Sequence, residues 1–342
     1  MTELIRLVER YVEIPAVSGA ERPLREQILK DLSGCCDCRV DSLGNILAVK
    51  KGANAAKVSV LLDAHMDEVG LIVTGVTAQG FVRFAKVGGI DDRVLFGRRV
   101  RIGNVIGVLG GTPVHLLDEK ARKKVHKADD LLIDIGAKDR QDALQYVKPG
   151  DTAVFDTGFL RLGGQIAARA LDDRVGCAVL VQLLRSEIPY DLQVSFTVQE
   201  EVGCRGAAAA AFTVAPQAAI AVEATTASDI HGVPEDQRVC SLGGGAVVSF
   251  MDGGTVYDRA YYQAALELAG QRGIAAQPKQ AVAGGNNASA IHKSRGGVRT
   301  LALSLPCRYI HSGLCVADQR DIQSLYDLTT AVAGQIASGA WA

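Results

Sequence analysis

The chain has 342 residues, of which 48% are hydrophobic and 22% charged, with a formal net charge of −1. That length supports a large core and more than one domain, because single cores stop growing near ~250–300 residues. The near-zero charge argues against a general nucleic-acid binder. The longest uncharged stretch, 206–222, is alanine-rich and broken by Pro216, so no membrane span is expected. The first residues, MTELIRLVERYVEIP, interleave charges with apolar positions; with eight cysteines, this leads to the expectation of no export signal and reduced thiols in the cytoplasm.

In chain order, Ser18-Gly-Ala-Glu21 matches a capping box, and Leu24, Ile28 and Leu32 continue it as one helix face. Cys35, Cys36 and Cys38 lack a second cluster at metal spacing and read as a surface loop. The stretch 41–45, DSLGN, reads as a turn between strands, and 58–62, VSVLL, as a strand buried on both faces. From about 72 to 160 the chain turns to short alternating segments and glycines, which is hairpin grammar, with helix expected only near 118–128 and 139–147. The basic run within 119–127, EKARKKVHK, reads as a solvated face. Beyond Gly163, a helix is expected over 172–184, strands over 192–199, 217–222 and 246–250, a helix over 257–270 and a last strand over 298–305. The sum is an α/β fold, with a discontinuous domain of residues 1–70 and 162–342 carrying an inserted β domain over 71–161.

Side chains with ligand chemistry fall at strand ends and helix starts. His65 and Asp67 lie in DAHMDEVG, Asp172 in ALDDRVG, Glu200 and Glu201 in VQEEVGCRG, Glu223 in IAVEAT, and His311 in CRYIHSG. Ligand sites in open α/β sheets gather at the carboxyl ends of strands, so these distant segments can converge. A single Glu-Glu pair is by default solvated, but imidazoles and carboxylates together suit zinc or a similar divalent ion, and a bridging Asp can hold two. In His-x-Asp the carboxylate can fix the tautomer of a ligating imidazole. His115, His126, His231 and His292 read as structural or surface groups. There is no Gly-x-Ser-x-Gly elbow and no phosphate-binding loop. Residues 242–246, LGGGA, lack dinucleotide spacing, and adjacent glutamates do not flank a sugar bond from opposite sides.

These residues, with Ser18-Gly19, Gly44-Asn45, LLIDIGA (131–137) and QEEVGCRGA in the same order, resemble the tetrahedral (TET) metallo-aminopeptidases of peptidase family M42. The resemblance implies an α/β/α sandwich of the dinuclear-zinc aminopeptidase kind with an inserted β-barrel-like domain. It also implies two divalent ions per chain, zinc first, with cobalt or manganese as substitutes. His65 and Glu223 would hold one ion and Glu201 and His311 the other, with Asp172, rather than Asp173, bridging. Glu200 would be the general base and Asp67 the partner that orients His65. The implied activity is release of N-terminal residues from peptides with a free amine, by a homo-oligomer that pairs through the β domain and assembles up to a dodecamer.

Three departures bear on that expectation. Glu223 stands where the resemblance leads one to expect Asp, and Asn286-Asn287 where it leads one to expect Thr-Asp; residues 228–232 and 296–300 lack an expected proline. Two other readings therefore stay open. One is an N-acyl amino acid deacylase or other amidohydrolase on the same scaffold, the other a metal-binding assembly protein whose catalysis has lapsed.

Overall fold

The computed structural model describes residues 2–341. Its centre is an eight-stranded sheet in the order Asp37–Val40, Ile46–Lys50, Leu192–Thr197, Val60–His65, Ala218–Thr226, Arg299–Cys307, Ala246–Val248, Ala276–Pro278. The middle strands, from Leu192–Thr197 to Arg299–Cys307, are parallel, so their carboxyl ends share one edge of the sheet. Val60–His65 is buried at every position, as expected for a parallel strand covered on both faces. Its alternation sorts the two faces. Val60 and Leu62 enter the large core with the helices Glu3–Glu13, Leu171–Arg185 and Gln319–Ala337. Leu61 packs on the other face, against Ala207 and Ala211 of the helix Arg205–Val214 and Ile291 of the short helix Ala288–Ile291. Asp63 and His65 share that second face by period, and so does Glu223 with Ala219 and Ala221.

The inserted segment is a closed antiparallel barrel of Gly70–Val76, Val82–Val87, Leu132–Asp134, Val105–Gly110, Arg99–Ile102 and Thr152–Phe155, in that order round the wall. Leu71, Val82, Val100, Leu109, Ile133 and Phe155 fill it. A Cβ on Gly107 would lie 2.4 Å from the Ile133 side chain, so the neighbouring strands close only over a residue without one. The barrel also leans on the sheet: a Cβ on Gly88 would sit 3.3 Å from that of Glu201, and one on Gly89 3.4 Å from the His311 ring.

Several elements differ from the sequence expectation. The helix expected over 118–128 is the single turn Glu119–Arg122, and that over 139–147 is Arg140–Ala143. Like charges four apart, Lys120–Lys124 and Lys123–Lys127, oppose helix in the first, and no apolar face offsets them. The strand at 299–307 is not the last, because Cys315–Asp318 follows and joins a small sheet with Gln165–Ala168 and Leu160–Leu162. Ser18 caps no helix: the helix Arg22–Asp31 has Glu21 at its start without a side-chain cap. Four helices lie outside the sequence expectation, Glu3–Glu13, Arg205–Val214, Ala288–Ile291 and Gln319–Ala337. The alanine run is helical because alanine favours helix and its small face fits the sheet closely. At Gly206 a Cβ would lie 2.4 Å from the Val198 carbonyl oxygen.

Candidate active site

The four parallel strands deliver five of the side chains singled out in the sequence. His65 ends its own strand, Glu200 and Glu201 follow Leu192–Thr197, and His311 follows Arg299–Cys307. Glu223 does not end its strand. Pairing continues from Glu223–Ser304 to Thr226–Cys307, so it projects from within the strand. Asp172 comes from the start of Leu171–Arg185, where it and Asp173 have non-helical backbone angles and are joined by a cis peptide bond; the regular helix begins after them. Non-glycine residues with positive φ crowd this edge: Ala170, Gln199, Cys204, Tyr309 and His311, each costing ~1–3 kcal/mol and held by the surrounding fold.

The convergence is tight. His65 Nε2 lies 3.2 Å from Asp172 Oδ1 and 3.6 Å from Glu223 Oε2. His311 Nε2 lies 3.3 Å from Asp172 Oδ2 and 3.4 Å from Glu201 Oε2. The two oxygens of Asp172 therefore face two different imidazole–carboxylate pairs. Ligands at ~2.1 Å round a tetrahedral ion stand about 3.4 Å apart, which matches these separations. The sets His65, Asp172, Glu201 and His65, Asp173, Glu223 each bring donor atoms within 4.8 Å of one another. The residues present thus fit divalent metal. Glu200 Oε2 stands 4.0 Å from His65 Nε2, beside these donors.

The charges are unbalanced. Burial pushes the Glu201 carboxyl up to about 8, with the Asp172 charge adding to it and His311 opposing. Glu223 is driven well above the usual carboxylate range by burial and by Asp173, Glu200 and Asp172, against the pull of His65. Glu200 is raised by burial, although His65 opposes this. Burial lowers the His311 imidazole, but its hydrogen bond to Asp172 and the charges of Asp172 and Glu201 bring it up to about 9. Without added cations, the cluster relieves itself by keeping protons.

Asp67 is fully buried and does more than face His65. The His65 Nδ1 is 3.0 Å from the Asp67 carbonyl oxygen and 3.4 Å from its carboxylate, so the carbonyl is the closer acceptor. The carboxylate accepts the backbone N–H groups of Glu200 at 2.9 Å and Glu201 at 3.1 Å, and the Ser18 hydroxyl at 2.7 Å. It therefore sets the turn that presents both glutamates. Asp173 is occupied elsewhere, accepting from the backbone N–H of His65 (3.2 Å) and of Gly176 (2.9 Å).

Sequence reasoning missed the roles of Ser18, Asp63 and Glu68. Ser18 was read as a cap. Asp63, fully buried, accepts from Ser195, from Thr197 at 3.5 Å and from Asn287 Nδ2 at 2.7 Å, while the Asn287 backbone N–H donates to Glu223 Oε1 at 3.4 Å. Glu68 is clasped by Arg169 and Arg174, with Arg174 Nη2 at 2.8 Å, and accepts the Ala16 N–H at 2.9 Å. The signal for the last was adjacency, since Glu68 abuts HMD and the arginines flank ALDD. Asp229, the next acid after Glu223 in the sequence, is held in a two-point ion pair by Arg308 at 2.7 Å. His126 stacks on Phe96, and His292 bonds the Ala288 carbonyl.

The M42 glutamyl aminopeptidase family matches residues 44–328. The lysyl aminopeptidase of Pyrococcus furiosus is 34% identical over 343 residues, covering 95% of each chain. Among solved structures, an aminopeptidase from the archaeon Desulfurococcus kamchatkensis superposes with a TM-score of 0.93 at 30% identity, over 99% of this chain and 96% of that one. The TET1 peptidase of Pyrococcus horikoshii, which can assemble into a tetrahedron or a large octahedral shell, gives 0.85 at 36% identity, over 97% and 99%. Fold, buried donor set and relatives together define a metal-dependent peptide hydrolase. The chain belongs to the M42 aminopeptidase family.

Proposed function

We propose that the protein is an aminopeptidase with two divalent cations per chain, zinc first among them. His65 and Glu223 would hold one and Glu201 and His311 the other, with Asp172 serving both, because its two oxygens face the two pairs separately while each oxygen of Asp173 already accepts a backbone N–H. When bound, such ions polarise the scissile carbonyl and acidify the attacking water. Glu200 takes the proton from that water and returns it to the leaving amine. Its carboxylate lies 4.0 Å from His65 Nε2, beside the proposed ligands, where it can reach such a water. Asp67 positions Glu200 and Glu201 through their backbone. The surplus of carboxylates favours the ammonium or amine of a free N-terminus. The longer Glu223 in place of Asp still reaches His65 to 3.6 Å, which supports its role as a ligand.

The observation that carries this reading is the spacing round Asp172. Its experiment compares free and N-acetylated aminoacyl and dipeptide substrates, with zinc, cobalt and manganese added in turn. Hydrolysis restricted to free amines is expected. Faster turnover of acetylated substrates would mean a deacylase, and metal uptake without any amide hydrolysis a lapsed enzyme.

Assembly is part of the same proposal. The barrel exposes Ile106, Val108, Val114, Leu116 and Tyr146, an apolar set suited to contact between copies. Pairing through the barrel is supported by that apolar set, and growth up to a dodecamer by the dodecamer of a related TET1 peptidase structure. Sedimentation should show a multimer; an active monomer at low micromolar concentration would exclude this. No helix among the described residues is long and apolar enough to cross a membrane, consistent with a cytoplasmic enzyme acting on peptides.

A further inference from the structure

The cysteines at 35, 36 and 38 take no part in the site round Asp172, and the fold brings two of them together. The helix Arg22–Asp31 runs into a tight turn in which Gly34 has φ +76° and the Cys35 N–H donates to the Leu32 carbonyl at 2.9 Å. The chain leaves this turn as the edge strand Asp37–Val40, which contains Cys38. Side chains two residues apart along an extended chain share a face. Cys36 and Cys38 accordingly both rest against the main core, while Asp37 between them is exposed. Their Sγ atoms lie 3.6 Å apart and share a hydrogen bond, and both residues are half-buried, so small solutes reach them. Cys35 turns away, its thiol toward the Ser33 carbonyl at 3.9 Å.

Two readings of such a pair compete, a metal site and a covalent one. Among the described residues, the groups that bring three donor atoms within 4.8 Å of one another both belong to the Asp172 site, so no third ligand joins the two thiols. A disulfide needs no third group. An extended chain sets Cα atoms two residues apart at about 6.6 Å, inside the ~4.4–6.8 Å that a disulfide spans. The sulfurs have only to close from 3.6 Å to about 2 Å. The hydrogen bond also gives the two thiols different roles. Burial pushes Cys36 up to about 12, and donating to Cys38 adds to this. Burial raises Cys38 as well, but the bond from Cys36 opposes it there. Cys38 is therefore the first to ionise, with the Cys36 S–H steadying its thiolate.

We propose that Cys36 and Cys38 form a reversible thiol–disulfide site whose reaction partner is a low-molecular-weight disulfide. The Cys38 thiolate attacks one sulfur of that disulfide, forming a mixed disulfide and expelling a thiolate that takes up the proton Cys38 lost. The Cys36 sulfur, giving up its own proton, then attacks Cys38 and expels the second thiol. The protein loses two electrons and two protons, and the small disulfide becomes two thiols. The site stands apart from the metal ligands. Cys38 pairs with Ala48 and Ala48 with Val194, before the strand end from which Glu200 and Glu201 follow.

The test treats the folded, full-length protein with oxidised glutathione, blocks remaining thiols with iodoacetamide and digests with trypsin. Cleavage after Lys30 and Arg39 releases residues 31–39, which carry all three cysteines. Cys36 and Cys38 should lose alkylation together, with Cys35 still alkylated, and dithiothreitol given before the block should restore both. In Cys36→Ser, which lacks the resolving thiol, Cys38 should instead keep glutathione as a mixed disulfide. Full alkylation of Cys36 and Cys38 after oxidant would overturn the assignment. So would a bond made through Cys35, or glutathione retained on wild-type Cys38. The readout is a peptide mass, so it stands whether or not the protein hydrolyses peptides.

Discussion

Glu68 and Glu223 are both carboxylates buried at the same edge of the sheet, and the fold treats them oppositely. Round Glu68, burial raises the carboxyl, but the charges of Arg169 and Arg174 overcome it and hold the group below its usual range. Round Glu223, burial and three further acids hold it well above. The first cluster carries its own counter-charges. In the second, Asp172, Glu200, Glu201 and Glu223 face two histidines, at separations that also suit donors round a shared cation. One cluster is built to stabilise the protein, the other to take up cations.

The sharpest separation of the two should come from substitutions that keep shape and remove charge. Glu200→Gln should cut turnover by ~10²–10⁴, the usual worth of a general base, with metal content near wild type. Comparable activity in that variant would sink its assignment. Glu68→Gln should act on stability instead, by about 3–5 kcal/mol in urea unfolding, because it leaves buried guanidinium charge without a counter-ion. Its pH signature follows from the sign of the shift. A depressed carboxyl contributes stability that is present above its unfolded pKa and lost as pH falls through the folded one. Acid unfolding of the wild type should therefore include a component that Glu68→Gln lacks.

A smaller, graded effect is expected from protons that metal must displace. The Glu201 carboxyl at about 8 and the His311 imidazole at about 9 are protonated below those values in the metal-free protein. Ligands bind metal deprotonated, so affinity should rise with pH through the range in which these groups lose their protons. Competition titration with a chelator at several pH values reads this directly. Affinity independent of pH between 6 and 9 would remove these two residues from the ligand set.

The contrast between the clusters also marks what a sequence can reveal. Most of the proposed metal-site residues could be singled out because they sit in short motifs at the end of a strand or the start of a helix, where α/β topology brings distant segments together. Glu223 was legible by type but not by position, since strand pairing carries on past it to Thr226. Ser18 and Asp63 were hidden because their roles depend on partners 49 and 132 residues away. Local patterning assigns Ser18 to a cap and gives no reason to single out an acid inside a buried strand. The alanine run of Arg205–Val214 read only as bias, because its apolar face is made of residues too small to show a period.

Metal stoichiometry is the most direct test of the difference between the two clusters. Elemental analysis of wild-type protein reconstituted with zinc and freed of excess should give two ions per chain. Glu223→Ala should lose occupancy and activity together. A wild-type ratio of one, or two ions held as tightly by Glu223→Ala as by the wild type, would contradict the two-cation site round Asp172.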